Sequence, residues 1–284
     1  MDSISELSSA NWVDSLNGYL KPYWDELLQG EWCEGVVNTR LTVAEMQGWI
    51  MQIYPFIHAF PKVLAEALIK VEDDSSRSFL IDNIRVEKAH AEHWLWMGMG
   101  FGLKKQDMLS LAEGSRPVLR DVQSLTDWLW YINTKGSMAE AVAATSFAIE
   151  GMTGEAARRV ATGFEAYRDR PGVDMGPKTY KWMREHAHYD DEHPKIALEI
   201  VKRYATTERM QTKVMLAAKR SIQLLHNALM TSYQAYSVSA EKGVPQDELR
   251  EGDKGAERRR YRKSLSFPER RFCDRRGRQN RAVA

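Results

Sequence analysis

Phe79-Leu-Ile-Asp-Asn83-Ile-Arg-Val-Glu87-Lys-Ala-His90-Ala-Glu-His93-Trp94-Leu-Trp-Met-Gly-Met-Gly-Phe101 repeats its apolar positions every three to four residues. That spacing lines one face of an α-helix, whereas a half-buried strand would alternate at every second residue. The same period runs through residues 13–27, 43–71, 139–167, 178–204 and 210–236, with a shorter Trp-rich segment over 119–132. No alternating run of β-branched residues competes with it. The expectation is one all-α bundle of seven or so helices. Residues 114–117, 134–137 and 168–177, rich in Gly, Ser and Pro, read as loops. Pro22, Pro55, Pro61 and Pro194 fall inside helical patterns, where each should kink or interrupt its helix.

A chain of 284 residues can bury a real core without cross-links. The formal charge of +1 hides an asymmetry. Residues 241–284 carry 14 Lys/Arg against 8 Asp/Glu, net +6, and residues 1–240 carry 26 against 31, net −5. An acidic body is not the footprint of a nucleic-acid-binding core. From residue 242 the apolar period gives way to Arg-rich sequence that cannot offset its chain entropy. The expected organisation is a helical domain over 1–241 and a disordered basic tail over 242–284. Cys33 and Cys273 exclude a disulfide framework and a cysteine-rich zinc module, and suit a reducing compartment. The start shows no basic n-region of a signal peptide. The charge-free run 94–103 is far below the roughly 20 residues that span a bilayer. A cytoplasmic protein without a membrane span is expected.

Three segments carry metal-ligand chemistry. In His186-Ala-His-Tyr-Asp190-Asp-Glu-His193, a continuous helix would place Asp190 about 40° and His193 about 20° from His186 on one face. A solvated surface face is the competing reading. Glu87-Lys-Ala-His90 sets a carboxylate and an imidazole on adjacent turns, the Glu-x-x-His unit of di-iron carboxylate bundles. His93 lies about 120° around from Glu87 and is the weaker choice. Glu150 stands alone in the small-residue apolar helix Ala148-Ile-Glu150-Gly-Met-Thr-Gly154, where it needs a cation: a metal, or a Lys or Arg from a neighbour. Together Glu87, His90, Glu150, His186, Asp190 and His193 offer three carboxylates and three imidazoles. Against two Fe(II) ions, at +4, they leave about +1 and open positions. Oxygen and nitrogen donors without thiolate suit iron or manganese better than structural zinc. Such a centre invites O₂ as co-substrate and one anionic substrate group.

With their neighbours, these motifs resemble the haem-oxygenase-like di-iron oxidases over roughly residues 12–236. The resemblance implies a seven-helix bundle of the TenA/PqqC-like type, with all six residues as iron ligands. The likeness is nearest in the branch that decarboxylates medium-chain fatty acids. It implies that a small-molecule carboxylate binds at the metals, loses a β-hydrogen and leaves as a terminal alkene and CO₂. An external electron donor and a homodimer are compatible with it. Other branches oxidise amines or amino acids, or make p-aminobenzoate; a cationic substrate would want an acidic mouth, for which Glu92, Glu155 and Asp191 are available. A non-catalytic binding protein on the same bundle is the alternative from another class. Thiaminase chemistry needs a mid-chain cysteine and haem oxygenase an early histidine, and neither is present. The small residues Ala143, Ala144, Gly151 and Gly154 could leave room for an alkyl chain, or allow close helix packing.

Overall fold

A computed structural model of the chain describes residues 12–188 and 192–242. Among the described residues it is all-helical, with no strand. In chain order the helices are α1 (Trp12–Leu28), α2 (Glu31–Val37), α3 (Val43–Leu68), α4 (Asp74–Gly100), α5 (Lys105–Ala112) and α6 (Arg120–Lys135). They continue as α7 (Met138–Val142), a π-helical turn (Ala143–Phe147), α8 (Ala148–Glu165), a 3₁₀ turn (Ala166–Asp169), α9 (Lys181–His188), α10 (His193–Tyr204) and α11 (Glu208–Lys242).

The centre of the bundle is α3. Residues 48–54 of this helix are buried without interruption, so every side of it meets protein. It packs along α4, α5 and α6. Its start is set by a capping box: Thr42 Oγ1 accepts from the Glu45 N–H at 3.2 Å, and Glu45 Oε2 accepts from the Thr42 N–H at 2.6 Å. Helix α4 starts on Asp73, whose side chain accepts from the Ser76 N–H. It ends where Gly102 takes φ +80°, with Gly102 N–H donating to the Met99 carbonyl and Leu103 N–H to that of Gly98. Only a glycine enters that left-handed turn without strain. Helix α8 passes so close to α2 that a Cβ on Gly163 would stand 2.1 Å from the Val36 carbonyl oxygen.

The helical period anticipates α1, α3, α4, α6, the α7–α8 run and α11. It does not anticipate α2 and α5, of seven and eight residues, which are too short for a period to show. The expected continuous helix over 178–204 is not formed: α9 ends at His188 and α10 begins at His193. Pro194 therefore lies in the first turn of α10, where a missing N–H costs little, and not inside a helix. Pro22 does not interrupt α1, nor do Pro55 and Pro61 interrupt α3. The tail expected to be disordered lies, after Lys242, outside the described residues. No helix among the described residues is long and apolar enough to cross a membrane.

Candidate metal centre

Helices α4, α8, α9 and α10 bring five of the six expected ligands to one place; Asp190 lies outside the described residues. Ligand atoms of Glu87, His90 and His186 all lie within 4.8 Å of one another, close enough for a common ion. His90 Nδ1 is 3.0 Å from Glu87 Oε1, and the His90 and His186 rings are 4.3 Å apart. The reach of Glu-x-x-His along α4 thus extends across to α9.

His186 is held in the neutral form that a metal ligand needs. Its Nδ1 is 2.9 Å from the Trp182 carbonyl oxygen, which can only accept, so Nδ1 carries the proton and Nε2 keeps its lone pair. Burial, then the neighbouring His90, drops its pKa to about 4. The Trp182 ring stacks on it at 4.0 Å. His90 goes the other way: burial would lower its pKa, but the Glu87 carboxylate outweighs that and holds it up.

Glu150 and His193 form the adjoining part. Glu150 is 6% exposed, and its Oε1 accepts from Asn83 Nδ2 at 2.7 Å. Its Oε2 makes no hydrogen bond among the described residues, and His193 Nδ1 stands 3.5 Å away. The Phe79 ring meets the His193 ring edge-on at 5.6 Å. Burial raises the pKa of Glu150, whereas Glu87, though buried, is kept below its ordinary value by His90, His186 and His193 together. Two buried carboxylates in one cluster, with no Lys or Arg among the described residues paired to either, are short of positive charge. A buried carboxylate oxygen without a hydrogen bond is a place for a cation. The mixed carboxylate and imidazole donors therefore fit a borderline divalent ion such as Fe(II).

His93 does not join them. It turns to Glu185 at 2.7 Å and lies against Trp96. Sequence spacing overlooks Asn83 as a participant. It is fully buried, one turn before Glu87, and its amide also reaches Ser146 Oγ at 3.1 Å in the π-helical turn. An Asn on an otherwise apolar face, four residues ahead of a ligand, is the available signal.

One turn beyond these residues, the same helices help to line an apolar pocket. Trp94 follows His90 on α4, Thr153 and Ala156 follow Glu150 on α8, and Trp182 and Met183 precede His186 on α9. The stacked Trp182 is thus a wall shared by cavity and cluster. The expected small residues are not its lining: Ala143 and Ala144 are packed in the core, and Gly151 and Gly154 face Pro194 and the His186 backbone. Ala156 and Ala157, a turn later, leave the room instead.

Superposition on solved structures shows that this helical bundle has a haem-oxygenase-like fold. A TenA homologue from Pseudomonas syringae pv. tomato superposes with a TM-score of 0.71 at 26% identity, covering 82% of this chain and 98% of that one. A domain with a haem-oxygenase-like fold from Shewanella denitrificans gives 0.69 at 19% identity, covering 84% and 97%. A putative TenA-like thiaminase from Sulfolobus solfataricus gives 0.57 at 12% identity, over 81% and 98%. No curated protein matches the chain. Residues 47–226 match the haem-oxygenase-like family of iron-containing redox enzymes, and the chain belongs to that family.

Proposed function

We propose that the chain is an O₂-dependent, non-haem di-iron oxidase that converts a medium-chain fatty acid to a terminal alkene and CO₂. The observation that carries this reading is the apolar pocket beside the Glu87/His90/His186 cluster, with Trp182 lining the pocket and stacking on His186. Glu87, His90, Glu150, His186, Asp190 and His193 are assigned as the ligands. When bound, iron supplies the one-electron chemistry that activates O₂.

The protein's own residues do the rest. Glu87 and Glu150 supply most of the anionic charge, leaving a position for one substrate carboxylate. The alkyl chain enters the cavity past Trp182, and each buried methylene adds about 0.8 kcal/mol to binding. Holding the chain there decides which hydrogen is presented to the centre. Breaking the β-C–H bond and the bond to the carboxyl carbon forms the C=C bond and CO₂. It removes two electrons and two protons from the acid. Reducing O₂ to water takes four electrons, so two come from an external donor.

A cavity lined by apolar side chains and Thr153 does not favour an ammonium group. Glu155, available for an acidic mouth, is exposed and paired with Arg158. Thiol chemistry is disfavoured as well, because burial pushes the Cys33 thiol up to about 12.

Iron loaded without oxygen and then exposed to O₂ with dodecanoic acid and an electron donor tests the reading. The expected products are CO₂ and an alkene one carbon shorter than the acid, absent in His193→Ala. No alkene from any medium-chain acid, with faster O₂ consumption on an amine or amino acid, would replace it with an amine or amino-acid oxidase.

A further inference from the structure

Trp182 belongs to two sites at once. Its ring stacks on the His186 imidazole at 4.0 Å, with 27° between the planes, and the same residue lines the apolar pocket. Of the rings that meet His90 or His186 among the described residues, it is the one that belongs to the pocket wall. Its backbone acts on His186 as well, because the Trp182 carbonyl oxygen accepts from Nδ1 at 2.9 Å. One residue thus sets both the tautomer of His186 and the plane of its ring.

Trp182 is itself held by Trp94. The two rings meet nearly at right angles at 4.6 Å, and Trp94 Nε1 donates to the Ile50 carbonyl of α3 at 2.8 Å. His186 therefore sits at the end of a stack that starts on the central helix, with His90 as its other neighbour at 4.3 Å. Trp94 lines the pocket too. An alkyl chain there packs against both indoles as its apolar surface leaves water. An occupant that fixes the indoles removes freedom that a metal would otherwise have to remove on fixing His186.

We propose that Trp182 is a positioning residue that couples the pocket to the metal centre. A chain in the pocket holds Trp182, Trp182 holds His186, and metal binds more tightly as a result. The proposal rests on His186 as a ligand within the reading above, and gives the pocket a role beyond holding the substrate. It does not depend on the product formed. Coupling between two sites is reciprocal, so the metal strengthens binding in the pocket by the same factor. The centre is then most complete when a chain is present to be oxidised.

The test uses n-octane, which fills apolar space and has no atom that ligates a metal, so direct coordination cannot mimic the coupling. Fe(II) is titrated without oxygen into the full-length chain, with and without saturating octane. Octane should tighten Fe(II) binding about fivefold, and Fe(II) should tighten octane binding equally. In Trp182→Leu, which keeps an apolar wall but no ring to stack, both should bind and the factor should fall to one. In Leu229→Ala, at the α11 wall of the pocket, octane should bind more weakly with the factor kept. A role in folding alone would lower both affinities and leave the factor unchanged. In the iron-free, unaltered chain, octane should shift the His186 Nδ1–H signal of a ¹H–¹⁵N spectrum, which needs no tryptophan variant to fold. If octane binds without changing Fe(II) affinity, or the factor persists in Trp182→Leu, the coupling is overturned and the fatty-acid reading stands. If His186→Ala binds Fe(II) as the unaltered chain does, the ligand assignment fails and takes this proposal with it. If octane does not bind, the pocket is no alkyl site, and this proposal and the fatty-acid reading fail together.

Discussion

Asn83 and Asp73 show how much a single polar side chain can carry in this bundle. Asn83 holds one oxygen of Glu150 and leaves the other without a hydrogen bond. Removing that restraint should weaken iron binding without unfolding the chain. Asn83→Ala is expected to lose about 10- to 100-fold in Fe(II) affinity, as is usual for residues that orient a metal ligand. Anaerobic titration checks this, with circular dichroism to confirm the fold. Asp73 does a different job. It caps α4, accepts from Ser75 and from Tyr204 of α10, and pairs with Arg203. Hydrogen bonds from Ser75 and then Ser76 hold its carboxyl well below the usual range. A depressed folded-state pKa means that its contribution is complete above the unfolded value of about 4 and fades as pH falls below it. Asp73→Ala should cost about 1–2 kcal/mol near neutral pH. The gap between the two urea midpoints should narrow as pH is lowered from about 4.

Between elements, α8 approaches the backbone of α2 closely at Gly163. A methyl group there would collide with backbone oxygens of Val36 and Val37 that no rotamer change can move. Gly163→Ala should destabilise the protein by about 1–3 kcal/mol, as overpacking does, and the denaturant midpoint reports it. The same α8 carries Glu150, so separation of α2 and α8 would be felt at the cluster. The π-helical turn before α8 belongs to this scale too. It seats Ser146 against Asn83, and π turns often mark functional sites within helices. Sequence periodicity cannot expose it, because a single wide turn leaves the apolar pattern on either side intact.

For the whole molecule, metal binding at the cluster should be coupled to stability. A buried site short of positive charge is relieved by a cation bound to the folded state alone. Fe(II) or Mn(II) at 100 times its dissociation constant should therefore stabilise the chain by about 2.7 kcal/mol. Anaerobic thermal unfolding should show the rise in Tm, and Glu150→Ala should remove most of it. An unchanged Tm with either metal would count against the assigned ligands. Much of the fold is legible in the amino-acid sequence, because a helical period is local and each long helix carries its own. The candidate ligands on α4 and α8 stand out in the sequence too, as a Glu-x-x-His spacing and a lone carboxylate in an apolar helix. For His186 and His193 the reasoning from one shared helix face does not hold. Helices α9 and α10 are separate, and packing between helices brings the two imidazoles to the cluster.

The sequence by itself determined the all-helical class, the residue types available to a metal and the turns on which Glu87 and His90 meet. Those depend on spacing within one helix. Only the tertiary structure decided that His90 faces His186 while His93 turns to Glu185, that Asn83 holds Glu150, and that four tryptophans wall one cavity. Each of these is a distance between helices, set by how side chains interlock across α3, α4, α8 and α9, and no period along the chain encodes it.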